Sequence, residues 1–193
     1  MSYPAVVTRD GIVEKAVELV ERRGALSLQD LAHALGIRAP SLYRYFDSRE
    51  RLMAAVGLAG FSKLAAAIRA STRNDPSLEA AAWAIRRFAK KHPNLYRQMN
   101  ETDPRDEDPD EATAVTIDVL TASFGEDLGE ETLRGFREPI RALRAFVHGF
   151  ALLELSGQFQ TGRDLDRSFE TGLHAILKML EETAPSAKVW SRK

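Results

Sequence analysis

The sequence predicts an all-α protein of about nine helices, in which an N-terminal three-helix module precedes a larger helical body. Three observations predict this. Residues 26–56, LSLQDLAHALGIRAPSLYRYFDSRERLMAAV, hold two short helical patterns joined at a glycine, the layout of a helix-turn-helix. Apolar residues recur at helical spacing through most of the remaining chain, and strand signals are few. With 193 residues, 44% of them hydrophobic, the chain can bury a core in one or two domains, and with no cysteine it relies on no disulfide framework.

The N-terminal elements follow from local chemistry. Thr8 can cap a helix that runs through Arg23, with Ile12, Val13, Ala16, Val17, Leu19 and Val20 on one stripe and Gly24 as its stop. Ser27 with Asp30 has the form of a capping box. Leu28, Leu31, Ala32 and Leu35 then mark one apolar helical face. Gly36 ends that helix, Ile37 plugs the turn, and Pro40 fits the first position of the next helix, where a missing N–H is harmless. Leu42 and Phe46 point back to the core, which leaves Arg44 and Tyr45 facing outward. Asp47 or Ser48 caps a long linking helix, 49–71. Three helices of this size bury little by themselves, so the long helix and the body must complete their core.

The body reads as further helices. One starts at Asp75–Pro76 and ends near Lys91, and Pro93 opens a shorter one carrying Leu95, Tyr96 and Met99. Residues 101–111, ETDPRDEDPDE, form a solvated acidic loop, with a metal site as the alternative. A helix is expected over 111–124, a turn over 125–131, and a helix from Glu131 that Pro139 kinks or restarts and that ends near Ser156. The last helix spans about 165–182. The domain reading is 1–50 for the helix-turn-helix, 51–185 for the body and 186–193 for a tail.

The second helix of a helix-turn-helix enters the DNA major groove, and its N-terminal end meets the base edges. Arg38, Ala39, Pro40 and Ser41 occupy that end. Arg38 can pair bidentately with guanine, and Ala39 and Pro40 can pack on a thymine methyl. Taken singly, Tyr43 also fits a core aromatic, and Arg44 and Arg49 fit ordinary solvated charges. Their occurrence together on one short segment with turn chemistry at the right spacing favours DNA binding.

The series Gly24, Ser27–Leu28, Leu31–Ala32, Leu35–Gly36–Ile37, Leu42–Tyr43–Arg44–Tyr45–Phe46, Ser48–Arg49–Glu50 and Leu52 resembles the N-terminal domain of TetR-family transcriptional regulators. Arg49 stands where that family usually has Lys, and Tyr45 where His is frequent. The resemblance implies a homodimeric, all-helical regulator with a C-terminal ligand-binding and dimerisation domain. It assigns Tyr43, Tyr45 and Arg49 to phosphates, and Gln29 to a further DNA contact. It also implies that the last two helices pair with those of a second subunit, through Leu143, Val147, Phe150, Phe169, Leu173, Ile176, Leu177 and Leu180. The segment 146–159, FVHGFALLELSGQF, is similar to a C-terminal subfamily with an aromatic–x–x–His–Gly pattern, Phe146 taking the place of its Trp. A ligand pocket between the body helices would draw on Trp83, Phe88, Tyr96, Met99, Phe124 and Phe146.

Charge and composition agree with a DNA-binding regulator. The chain carries a net charge of −1, but residues 1–75 hold 11 Lys and Arg against 8 Asp and Glu, while residues 76–193 hold 16 against 20. The N-terminal residues lack the pattern of a signal peptide and no apolar run suggests a membrane span, so a cytoplasmic protein is expected. No glycine-rich phosphate loop, metal-spaced cluster or nucleophile motif is present, so neither enzymatic activity, a metal nor a cofactor is expected. The expected partners are double-stranded DNA, an unidentified small-molecule effector and a second copy of the chain. The expected activity is repression of a palindromic operator, relieved by the effector. The other readings are an activator or ligand-independent regulator of the same fold, or a small enzyme built on it.

Overall fold

The computed structural model describes residues 7–74, 77–106, 108, 137–159 and 164–183. Among them are seven α-helices and two short 3-10 segments, with no strand. The all-α expectation holds. The helix expected over 111–124, the turn over 125–131, the helix start at Asp75–Pro76 and the tail lie outside the described residues, as does Phe124.

The residues pack as two compact units, one drawn from Met1–Lys63 and His92–Thr116, the other from Leu64–Lys91 and Ile117–Lys193. In the first unit, α1 (Arg9–Arg23) begins at Thr8, whose hydroxyl accepts the Gly11 N–H at 3.1 Å, and ends at Gly24, φ 76°. Helix α2 (Leu28–Ala34) begins at Ser27, whose hydroxyl accepts the Asp30 N–H at 3.3 Å. The box is only half built, because the Asp30 carboxylate pairs with Arg23 instead of returning to the cap. Aspartate is one methylene shorter than the Glu or Gln that closes such boxes. Gly36 takes φ 69°, a left-handed backbone that a side chain would strain, and the turn closes as the Ile37 N–H reaches the Ala32 carbonyl at 2.9 Å.

The expected second helix of the motif is a 3-10 segment, Ala39–Arg44. Its bonds run over three residues, from Ser41 N–H to the Arg38 carbonyl at 2.8 Å and from Tyr45 N–H to the Leu42 carbonyl at 2.9 Å. Leu42 and Phe46 are buried, as their spacing predicts. Ser48 rather than Asp47 caps α3 (Arg49–Thr72), its hydroxyl accepting the Arg51 N–H at 3.2 Å, while Asp47 pairs with Arg51 at 3.7 Å. By length and composition α3 could cross a membrane, contrary to the expectation that no such run exists. Its apolar window has a mean hydropathy of 1.4, but 61% of that window is buried inside the protein, as for a core helix.

The first unit also draws in residues that follow Lys91, among them a further helix and the 3-10 segment Pro104–Asp106. Helix α4 (Leu78–Lys91), capped by the Ser77 hydroxyl, belongs to the second unit, but α5 (Pro93–Glu101) packs on α1. There the His92 imidazole meets the Glu21 carboxylate at 2.9 Å, and the Asn94 amide donates to the Glu21 carbonyl at 3.0 Å. Leu95, Tyr96 and Met99 are buried. Gly60 allows α5 to lie close against α3, since a Cβ there would stand 3.1 Å from the Met99 Cβ.

The second unit joins α4 to α6 (Arg137–Leu155) and α7 (Leu165–Thr183). Pro139 lies in the first described turn of α6. The core holds Leu78, Ala82, Leu143, Val147, Phe169, Leu173 and Leu180. Beside it lies Arg86, 2% exposed. Its Nε and Nη2 donate to the two oxygens of Glu154 at 2.7 and 2.9 Å, and Nη2 also reaches Asp166 at 2.8 Å. The guanidinium carbon lies 4.9–5.3 Å from the ring centres of Phe169, Phe150 and Trp83.

Removing one partner of a buried pair leaves the other charge stranded, so Glu154→Ala should cost about 3–5 kcal/mol of unfolding free energy. Asp166, 71% exposed, should contribute far less, and Asp166→Asn should cost about 1 kcal/mol or less. Urea denaturation of both variants checks the ranking. The Arg86 hydrogen bond holds the Glu154 carboxyl below its ordinary value. Stability from the pair is therefore complete above that ordinary value, near pH 4.5, and falls as pH drops through the lower folded value. Acid titration of the wild type against Glu154→Gln should show this difference.

Candidate nucleic-acid interface

The residues from Arg38 to Arg49 form one exposed face of the first unit. Arg38 precedes the 3-10 segment and caps nothing with its side chain. Arg38, Pro40 and Arg44 are exposed, and Ala39 and Ser41 are half-buried. Tyr43 is 53% exposed, which excludes the core-aromatic reading, and Tyr45 is 36% exposed. Arg49, the first residue of α3, and Gln29, on α2, are also exposed. The structure thus leaves every proposed DNA-contact side chain at least partly accessible.

Charge pairing sets this face apart. Elsewhere in the unit Lys15 and Arg22 pair with Glu18, Arg23 with Asp30, Lys63 with Glu21 and Arg105 with Asp103. Among the described residues, no acid comes within ion-pair distance of Arg38, Arg44 or Arg49. Arg49 also sits in the first turn of α3, where a cation opposes the helix dipole. Its neighbour Glu50 offsets this. Hydrogen bonds from its own backbone N–H and from Ser48, together with the Arg49 charge, hold the Glu50 carboxyl below its usual value. The arrangement suits anionic oxygens, because cations not held in ion pairs lie in the same segment as a phenol and a half-exposed hydroxyl.

The other sequence-assigned residues divide between the units. Tyr96 and Met99 belong to the first, Trp83, Phe88 and Phe146 to the second. Trp83 and Phe146 both meet Phe169, with ring centres 4.8 and 5.5 Å apart. Of the side chains expected between subunits, Leu143, Val147, Phe169, Leu173 and Leu180 are already covered within their own chain, and Phe150, Ile176 and Leu177 are partly so. Among the described residues no cluster of three His, Asp or Glu is placed to hold a metal. The described part of the acidic segment is tied locally, Arg105 holding the Asp103 carboxyl at about 2.

Sequence reasoning missed the Arg86–Glu154 pair. Its signal is visible afterwards, since Arg86 interrupts the apolar face of α4 at Leu78, Ala82 and Ala89, and Glu154 interrupts that of α6 at Leu143, Val147 and Ala151.

The fold and the exposed basic segment define a helix-turn-helix DNA-binding protein. The sequence profile described as "Bacterial regulatory proteins, tetR family" matches residues 12–56, and that described as "Tetracyclin repressor-like, C-terminal domain" matches residues 78–176. The uncharacterized HTH-type transcriptional regulator Rv0681 of Mycobacterium tuberculosis is 32% identical over 168 residues, 81% of this chain and 74% of that one. The HTH-type transcriptional repressor ComR of Escherichia coli is 44% identical over 55 residues, 28% of this chain and 26% of that one. The crystal structure of BioQ with its natural double-stranded DNA operator has the same fold, with a TM-score of 0.62 at 17% identity, covering 90% of this chain and 98% of that one.

The chain belongs to the TetR family, whose members are DNA-binding transcriptional regulators and not enzymes. These matches do not test the narrower aromatic–x–x–His–Gly resemblance, in which Phe146 stands two positions before His148.

Arg44→Ala and Arg49→Ala should each weaken binding to all duplexes and reduce the slope of log affinity against log salt by about 0.9. Fluorescence anisotropy titrations over a salt series measure both effects.

Proposed function

We propose that this regulator is a repressor that binds a palindromic operator as a homodimer and is released by a small-molecule effector. The observation that carries the DNA half is the set of exposed cations Arg38, Arg44 and Arg49, none held in an ion pair among the described residues, beside the exposed Tyr43. Gln29 and Ser41 border the same face and are assigned to it. Arg38, with Ala39 and Pro40, is the base-reading end, while Tyr43, Arg44 and Arg49 address phosphates, which set register and carry no sequence information.

The repressor sense is supported by the likeness to ComR, a transcriptional repressor 44% identical over 55 residues. Dimerisation is supported by large apolar side chains exposed on the last two helices, Leu153 at 40% on α6 and Met179 at 44% on α7. Phe150, Ile176 and Leu177, only partly covered within their own chain, complete the residues assigned to a subunit face. For the effector, the half-buried Trp83 and Phe146 offer flat apolar surface in a helical domain, the setting in which bundle pockets form. The working compartment is the cytoplasm, where operator DNA is found.

A dimer of this kind places its recognition segments in successive major grooves, about 34–36 Å apart. Selection from a random duplex library should therefore enrich a palindrome with half-sites about one helical turn apart. An asymmetric or single half-site would overturn the dimeric reading. On the enriched duplex, Arg38→Ala should lose about 1–3 kcal/mol of discrimination at one base pair per half-site while still binding substituted duplexes.

A further inference from the structure

Tyr43 and Tyr45 lie two residues apart, and the resemblance assigns both to phosphates. Their hydroxyls are not equivalent. Tyr43 is 53% exposed and its hydroxyl has no partner among the described residues. The Tyr45 hydroxyl donates to the Val7 carbonyl at 3.1 Å. A phenol has one proton to give. While Tyr45 gives it to Val7, only oxygen lone pairs remain for an approaching phosphate, and these repel it.

A second contact ties the same place. Arg9, the first residue of α1, lays its guanidinium 4.7 Å from the centre of the buried Phe46 ring, next in sequence to Tyr45. Between Val7 and Arg9 stands Thr8, whose hydroxyl caps α1. Three consecutive residues at the entry of α1 are thus fixed, two of them to the C-terminal end of the recognition segment. That segment is short and 3-10, with few hydrogen bonds of its own to hold it in position.

We propose that Tyr45 is a positioning residue, a strap that fixes the recognition segment against the start of α1, and that Tyr43 alone of the two carries a phosphate hydrogen bond. The proposal rests on the DNA-binding reading of this face. Its effect is preorganisation, since the strap removes motion that DNA would otherwise have to arrest.

Two measurements on the full-length protein test it. The first is amide hydrogen exchange without DNA. Tyr45→Phe should speed exchange over residues 9–12, and Tyr43→Phe should not. The second is affinity for the enriched duplex and for a series in which single phosphates are replaced by neutral methylphosphonates. Tyr45→Phe should lower affinity by about two- to tenfold, the scale of one hydrogen bond, and by the same factor on every duplex. Tyr43→Phe should show coupling to one phosphate per half-site, the methylphosphonate there costing less in the variant than in the wild type. Coupling of Tyr45→Phe to a particular phosphate would overturn the proposal, as would unchanged exchange over residues 9–12. A wild-type protein that enriches no duplex would refute the DNA-binding reading instead, and the exchange comparison would still decide whether the strap exists.

Discussion

The second unit is organised around a charge that cannot be discharged. A guanidinium stays protonated at any pH a protein meets, so burying Arg86 obliges the fold to supply anions in the right plane. Glu154 presents both oxygens to Nε and Nη2, and Asp166 takes a further Nη2 contact. The faces of Trp83, Phe150 and Phe169 surround what remains. Apolar burial is non-directional and tolerates helices sliding past one another, whereas a planar fork with two parallel bonds does not. Contacts among Leu78, Ala82, Val147 and Leu173 carry no such directional demand, whereas the Arg86 fork is met only where Glu154 faces it. The buried pair thus adds uniqueness to a core whose stability comes mainly from apolar contact.

The first unit uses charge in the opposite sense. Several of its cations away from the recognition segment are paired with acids, as with Arg22 and Glu18 or Arg23 and Asp30. Exposed pairs of this kind contribute little stability. They do offset those positive charges locally, whereas Arg38, Arg44 and Arg49 stand outside any ion pair among the described residues. A net charge of −1 for the whole chain is therefore no obstacle to binding a polyanion, because screening makes the nearest charges decisive.

What the sequence made legible was local. Thr8, Ser27 and Ser48 act within three residues of themselves, and Gly24 and Gly36 act on their own backbone, so the caps and stops of the motif could be placed from the chain alone. Leu42 and Phe46 were legible because burial follows spacing. Most of the illegible features join distant residues. Arg86 meets Glu154 across 68 positions, His92 meets Glu21 across 71, and Tyr45 meets Val7 across 38. No periodicity marks such partners. The nearest available sign was a charge lying on an apolar stripe, which is how Arg86 and Glu154 each stand out. The 3-10 character of Ala39–Arg44 was hidden for another reason, since the same residues and the same proline suit the first turn of an α-helix.

The path of the chain bears on how an effector could act. Helix α3 starts in the first unit and continues, unbroken, into the second from Leu64. The return is equally short, for α4 ends at Lys91 and α5 starts at Pro93, with His92 alone between them. His92 and Asn94 hold the C-terminal end of α1 through the carboxylate and carbonyl of Glu21. Arg86 lies one and a half turns before that junction, clamped to α6 and α7. A ligand alters DNA affinity only through a difference in its affinity for two states, and DNA then alters ligand affinity by the same factor. Under the repressor reading, those states must differ in something that both sites feel. Along the chain, Arg86 in α4 and the α1-bound residues His92 and Asn94 are separated only by the end of α4.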